Sequence, residues 1–334
     1  MRPENPALLF EAPTGRRRGP HLPRRGHRSG LVLSLAFLMS LGLGVRPVWA
    51  GAASLTFHVT SSTDAPDAMP GDGICADASG QCTLRAAVQE ANAQPSGSTI
   101  TIRAPARTFR LKLGVLSLTT NTISIQGASG GATTIDGRSA SQVLNVSSTA
   151  AVTLSHLTIT GGKAANGGGI ENAGKLMVTK STVTANKATS AGGGMYNHQT
   201  GTLALMKSSF SQNVSASDGG GIANNGGTLH LTLGTVSANK AGRAGGGIVS
   251  YFGTASIIKS TIANNATSGP NSEGGGGIAN GDTTLTVDRS TISGNTTTAG
   301  AGGSAIFNVF TASVSSSTIT GRCSPPKLES ACSA

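Results

Sequence analysis

Apolar and polar residues alternate in short bursts along most of this chain. Leu203, Leu205 and Phe210 fall on one side of such a pattern, with Ala204 and Lys207 on the other. The same offsets recur at Leu229, Leu231 and Val236, and again at Leu285, Val287 and Ile292. Period-two runs bounded by Gly, Asn and Ser turns predict β-strands. No repeat unit carries the 3.6-residue pattern of a helix.

The alternation is itself repeated. Gly-Gly-Gly followed by Ile or Met ends at Ile170, Met195, Ile222, Ile248 and Ile278, and a degenerate copy ends at Ile306. The steps are 25, 27, 26, 30 and 28 residues. A second landmark places an apolar residue at Ile159, Val183, Phe210, Val236, Ile262, Ile292 and Ile319. A shared, drifting period marks stacked units with surface insertions. The segment Gly269-Pro270-Asn271-Ser272-Glu273, inside the longest step, reads as one insertion. A unit of this length with three short strands fits one coil of a parallel β-helix, each coil hydrogen-bonded to the next about 4.8 Å along the axis. The crossover preference of parallel strands makes it right-handed. The expected fold is therefore an all-β, right-handed parallel β-helix solenoid.

Looser alternation at Ile100/Ile102, Leu111/Leu113, Leu116/Leu118, Ile123/Ile125 and Val152/Leu154 predicts the first, less regular coils. Upstream, Thr83 is a good N-cap for a short helix over Leu84–Ala93, with Leu84, Val88 and Ala91 on one face. Such a helix would cover the open end of the stack, which would otherwise be a template for aggregation.

Several polar columns share the period. Asn186, Asn213, Asn239, Asn265 and Asn295 form one, and Asn172, Asn197, Asn224, Asn280 and Asn308 another, broken by Ser250. Asn tolerates the left-handed conformation at turns, and stacked amides can bond from coil to coil. A basic column comprises His156, Lys180, Lys207, Lys259 and Arg289, interrupted by Leu233, with Lys163, Lys187 and Lys240 as a nearby partial column. A row of cations on adjacent coils suits an anionic glycan. It equally protects the sheet against lateral pairing.

Carboxylates are sparse. Between residues 151 and 322 they are Glu171, Asp218, Glu273, Asp282 and Asp288, none adjacent. Stacking would turn Asp218, Arg243 and Glu273 into an alternating charge ladder. Asp136-Gly137-Arg138 near His156 is the most enzyme-like grouping, and equally a turn. Outward aromatics for sugar stacking are few: Tyr196, Tyr251, Phe252 and Phe307. Asp64, Asp67, Asp72 and Asp77 make an oxygen-rich loop that suits calcium or simply solvent. No other cofactor is implied.

Charge and composition refine this picture. Of 334 residues 48 are Gly and 3% are aromatic, so the core must be small aliphatics packed many times over. The formal net charge is +11, but the first 50 residues alone hold eight Arg against two Glu. Clustered cations on the folded body, as nucleic-acid binding requires, are not indicated. Arg16 to Arg28, the apolar run Leu31–Val45 and Val48-Trp49-Ala50 describe a secretory signal over residues 1–50. The remaining organisation is a cap over 51–98, coils over 99–322 and a tail over 323–334, with no membrane span in the mature chain. The close pairs Cys75/Cys82 and Cys323/Cys332 favour two local disulfides in an exported chain, with a zinc site the alternative.

The segment Cys82-Thr83-Leu84-Arg85-Ala86-Ala87 resembles the Cys-Ser-Leu-Arg-Glu-Ala N-terminal module of exported bacterial proteins, with Thr83 replacing Ser and Ala86 replacing Glu. The Gly-Gly-Gly-Ile and Asn repeats resemble the polymorphic outer-membrane-protein repeats of adhesins and autotransporter passengers. The resemblance implies a secreted or cell-surface β-helix, although no C-terminal barrel or sorting motif follows. The expected function is a non-catalytic scaffold for adhesion or structure, meeting an anionic glycan or cell-surface polymer. The alternative is a polysaccharide lyase or glycoside hydrolase acting on an acidic polysaccharide.

Overall fold

The computed structural model describes residues 52–269, 273–298, 302–324 and Cys332. The expected signal segment, the middle of the 269–273 insertion and most of the C-terminal tail lie outside these residues. The chain is an all-β parallel solenoid with one helix, its strands arranged in sheets of 17, nine and six. One coil holds four short strands, Ile170–Asn172, Lys175–Thr179, Thr182–Thr184 and Lys187–Ala188. The expected three become four because Ala173 and Gly174 interrupt the first; in later coils it runs unbroken, as over Ile248–Ile258 and Ile278–Asp288.

Every strand pairs in parallel with its counterpart one coil on. Ile170, Met195, Ile222, Ile248, Ile278 and Ile306 are stacked in register, as are Val183, Phe210, Val236, Ile262, Ile292 and Ile319. All are buried. Each fully buried aliphatic contributes about 1.5–3 kcal/mol relative to exposure. A narrow core filled by repetition needs few rings.

The corners carry the polar logic of the coil. Ala185, Gln212, Ala238, Asn264 and Gly294 have φ between 54 and 63°. The residue after each is the column asparagine, which the left-handed step turns inward. The left-handed position is thus one residue earlier than expected, since the asparagine is needed to face the core. Asn186 Nδ2 donates to Asn213 Oδ1 at 3.0 Å, Asn213 to Asn239 at 3.0 Å, Asn239 to Asn265 at 2.9 Å and Asn265 to Asn295 at 3.0 Å. Each Oδ1 also accepts the backbone N–H of the preceding asparagine in the column.

The other column behaves likewise. Asn172 donates to Asn197 at 2.7 Å, Asn197 to Asn224 at 2.8 Å and Asn224 to Ser250 Oγ at 3.0 Å. Ser250 accepts but does not reach forward, so Asn280 Oδ1 is buried without a partner among the described residues. At the remaining corner Ser181, Ser208, Ser260 and Ser290 are buried and follow the left-handed Lys180, Lys207, Lys259 and Arg289. Their hydroxyls accept the N–H one coil back, as from Ser181 to Ser208 at 3.3 Å.

The helix spans Leu84–Ala93, with Thr83 accepting from Ala86 N at 3.0 Å. It packs against Thr99–Arg103 and Leu116–Leu118, over the first coils. Its polar residues tie the cap together. Arg85 Nε donates to Asp64 Oδ1 at 2.6 Å and its Nη2 to Gly114 O at 2.6 Å. The fully buried Glu90 accepts from Gly71 N at 2.5 Å and Gly73 N at 2.6 Å. Asn92 donates to Ser117 O at 2.7 Å and accepts from Thr119 N at 2.9 Å. Leu113, expected to face in, is 56% exposed. Its segment is a loop, and its N–H serves Asp64 instead. The cysteines form the local disulfides Cys75–Cys82 and Cys323–Cys332.

Two predictions follow from the ladder and the cap. Asn239→Ala orphans the Asn213 amide and the Phe210 carbonyl, at about 1–3 kcal/mol per buried group, and a lowered urea midpoint measures it. At Asp64 burial pushes the carboxyl up, but Arg85 and the N–H groups of Leu113 and Lys112 outweigh it and hold it below its ordinary 3.8. That stabilisation is full above the ordinary value and lost as pH falls through the folded one. Amide exchange in the helix should accelerate over that acid range, and Asp64→Asn should abolish the step while weakening the cap at neutral pH.

Candidate functional site

The expected basic column exists, and it is the left-handed corner itself. His156, Lys180, Lys207, Lys259 and Arg289 have φ between 48 and 55°, and Leu233 occupies the same position in its coil at 55°. Their N–H groups donate to the carbonyl one coil on, as from Lys180 to Met206 at 3.1 Å and from Lys207 to Thr232 at 3.0 Å. Bending the chain outward here leaves Lys180, Lys207, Lys259 and Arg289 exposed. Arg289 Nε is spent on Asp288 Oδ2 at 2.6 Å. The Ser315 hydroxyl and then Arg289 hold the Asp288 carboxyl below its ordinary value, with Lys259 adding its charge.

His156 is half-buried and belongs to a different setting. It lines a groove of about 610 Å³ with His58 and Arg103 at the ends of the first strands. Lys163 and Lys187 are stacked in register, with Lys240 two coils further on, but on the six-stranded sheet. A strand and a second corner separate them from Lys180. They extend the basic surface without joining its column.

The four aspartates of the cap do not converge. Asp64 binds Arg85, Asp67 accepts from Met69 N and Ala76 N, and Asp72 accepts from Ile74 N. Asp77 accepts from the Ser79 hydroxyl and from Gln81 N, which hold its carboxyl below the ordinary value. Among the described residues no group of three or more His, Cys, Asp or Glu could hold a metal ion. Asp136 closes its own turn by accepting from Arg138 N at 2.8 Å.

The charge ladder forms as expected. Arg243 Nη2 donates to Asp218 Oδ2 and its Nη1 to Glu273 Oε1 at 3.0 Å. The bond to Asp218 raises the guanidinium above its ordinary value. Tyr196 and Tyr251, expected among the outward aromatics, lie beside it, and the groove they line was not foreseen. The strands after the Gly-rich turns present two outward columns, one with Tyr196, Ala223 and Val249, the other with His198, Asn225 and Tyr251. Ladder and columns enclose a groove of about 300 Å³. The chain has only two tyrosines and both line it.

Every member is held. Tyr196 Oη accepts from Asn225 Nδ2 at 2.6 Å, and its ring meets His198 edge-on at 4.8 Å. His198 Nε2 lies 2.7 Å from Glu171 Oε1. The Arg243 guanidinium is 5.9 Å from the Tyr251 ring centre. Gly281 provides the space for that ring: a Cβ there would lie 2.9 Å from Cδ1 and 3.0 Å from Cε1. Burial, then the Asp218 carboxylate, pushes the Tyr251 phenol well above its ordinary value.

No protein-family model and no curated protein matches the chain. Among solved structures it is similar to the crystal structure of a pectate lyase, Pel9A, at 12% identity and a TM-score of 0.43, over 80% of this chain and 79% of that one. Identity this low carries no residue of that enzyme over to this chain. No described helix is long and apolar enough to cross a membrane.

The tyrosines make the groove readable. In Tyr196→Phe, alkaline absorbance titration should find no phenol ionising near the ordinary 10.0 while the fold persists. Adding Gly281→Ala should displace the Tyr251 ring and return its ionisation towards that value.

Proposed function

We propose that this chain is an exported, non-catalytic β-helix scaffold that docks an anionic glycan or cell-surface polymer along its corner column. The observation that carries this reading is the register of that column. Lys180 and Lys207 sit on successive coils, and Lys259 follows after the single interruption at Leu233. Coil spacing of about 4.8 Å gives closely set cations on one rigid edge, which a flexible polyanion can follow. Such an edge steers an extended charged partner and is sensitive to salt.

The acid groups support a binding role. Depolymerising sites need an acid and a base free to move protons. Of the five carboxylates between residues 151 and 322, Asp218 and Glu273 are paired with Arg243, Asp288 with Arg289 and Glu171 with His198, and Asp282 is exposed with no ion pair among the described residues. The two disulfides fit an oxidising, extracytoplasmic setting.

Polygalacturonate and a sulfated glycan should bind the protein at low salt and be released as salt rises. The triple variant Lys180→Gln, Lys207→Gln, Lys259→Gln should weaken this about tenfold, or ~1.4 kcal/mol, without lowering the unfolding midpoint. Unsaturated or reducing ends accumulating with active-site-like saturation would overturn the reading in favour of a lyase or hydrolase.

A further inference from the structure

We infer that the groove between Tyr196, Tyr251 and the Asp218–Arg243 pair is a second, separate site that takes an uncharged saccharide unit. The argument starts from one atom. Asp218 is 7% exposed, and its Oδ2 is taken by Arg243 and the Ser217 hydroxyl. Its Oδ1 has no partner among the described residues. A buried carboxylate oxygen left unpaired is costly. In a groove-lining residue it is an unsatisfied acceptor just beneath the surface, which a ligand hydroxyl seated in the groove would satisfy.

The surroundings narrow the chemistry. Tyr251 offers a part-exposed ring and phenol, Tyr196 is 8% exposed, and Ala223 and Val249 keep the floor low and apolar. Hydroxyls above apolar ring faces are the distinguishing chemistry of a pyranose. A volume of about 300 Å³ is at the small end of ligand clefts, enough for one or two sugar units.

Charge sets the sign. Two carboxylates flank one guanidinium, so the ladder carries a net negative charge. An acidic sugar would bring a like charge to the unpartnered Asp218 oxygen, whereas a neutral sugar would bring a donor. This preference is opposite to that of the lysine column, and neither site depends on the other.

Cellohexaose and maltohexaose, titrated into the full chain, test the inference, with hexagalacturonate as the acidic counterpart. Binding is read by calorimetry and by the tyrosine ultraviolet difference spectrum. We expect a saturable tyrosine change with at least one neutral hexasaccharide, and none with hexagalacturonate even where it binds the lysines. Asp218→Asn turns the acceptor side chain partly into a donor and should weaken binding tenfold or more. Tyr251→Phe keeps the ring and its packing and controls for folding, with an effect confined to the phenol's own hydrogen bonds. The triple lysine variant should bind the neutral sugar unchanged. No tyrosine response to either neutral hexasaccharide overturns the inference, as does a response to hexagalacturonate that equals or exceeds the neutral one.

Discussion

The constraint on which everything else depends is the coil-to-coil hydrogen bond, repeated in strict register. A parallel stack places each residue above its equivalent, so any side chain that cannot bond or pack with a copy of itself is penalised in every coil. Branched aliphatics satisfy that condition by packing and asparagine by being donor and acceptor at once. Serine does it by accepting from the N–H one coil back. The corners supply the third requirement, a left-handed residue that turns the next side chain inward. Lys180, Lys207, Lys259 and Arg289 occupy these positions because the geometry turns the side chain out to solvent, and a long cation tolerates that exposure.

The periodic part of this architecture was legible in the chain because repetition amplifies weak signals. A single Gly-Gly-Gly-Ile is a turn, but six in drifting register are a solenoid. The same redundancy revealed both asparagine columns and the Asp218–Arg243–Glu273 ladder. The helix over Leu84–Ala93 was legible for another reason, a local cap and one apolar face. Contacts between segments whose separation follows neither the period nor a local motif were not legible. The contact of Asp64 with Arg85, and of Glu90 with the Gly71 and Gly73 amides, joins segments whose separation has no period. Leu113 alternated with Leu111 yet lies in a loop, because a loop residue obeys its hydrogen bonds and not the pleat.

The groove belongs to this second class. Tyr196 and Tyr251 occur once each, in different columns, and line one groove only because the coils are stacked and Gly281 leaves space. The asymmetry also separates two kinds of surface. The lysine edge is a product of the repeat and spreads its charge over several coils. The groove is an exception to the repeat, and its chemistry is concentrated in a few side chains.

A chain of near-equivalent coils faces an assembly problem: coil three could pair with coil five as readily as with coil four. The unbroken asparagine ladder from Asn186 to Asn295 cannot discriminate, since every step looks the same. The charge ladder can. Negative, positive and negative occur in that order only once, and skipping the coil that carries Arg243 would bring Asp218 against Glu273. Like charges facing each other across one coil spacing disfavour that slip. The ladder therefore marks one position in an otherwise repetitive stack, where the correct neighbour alone pairs opposite charges.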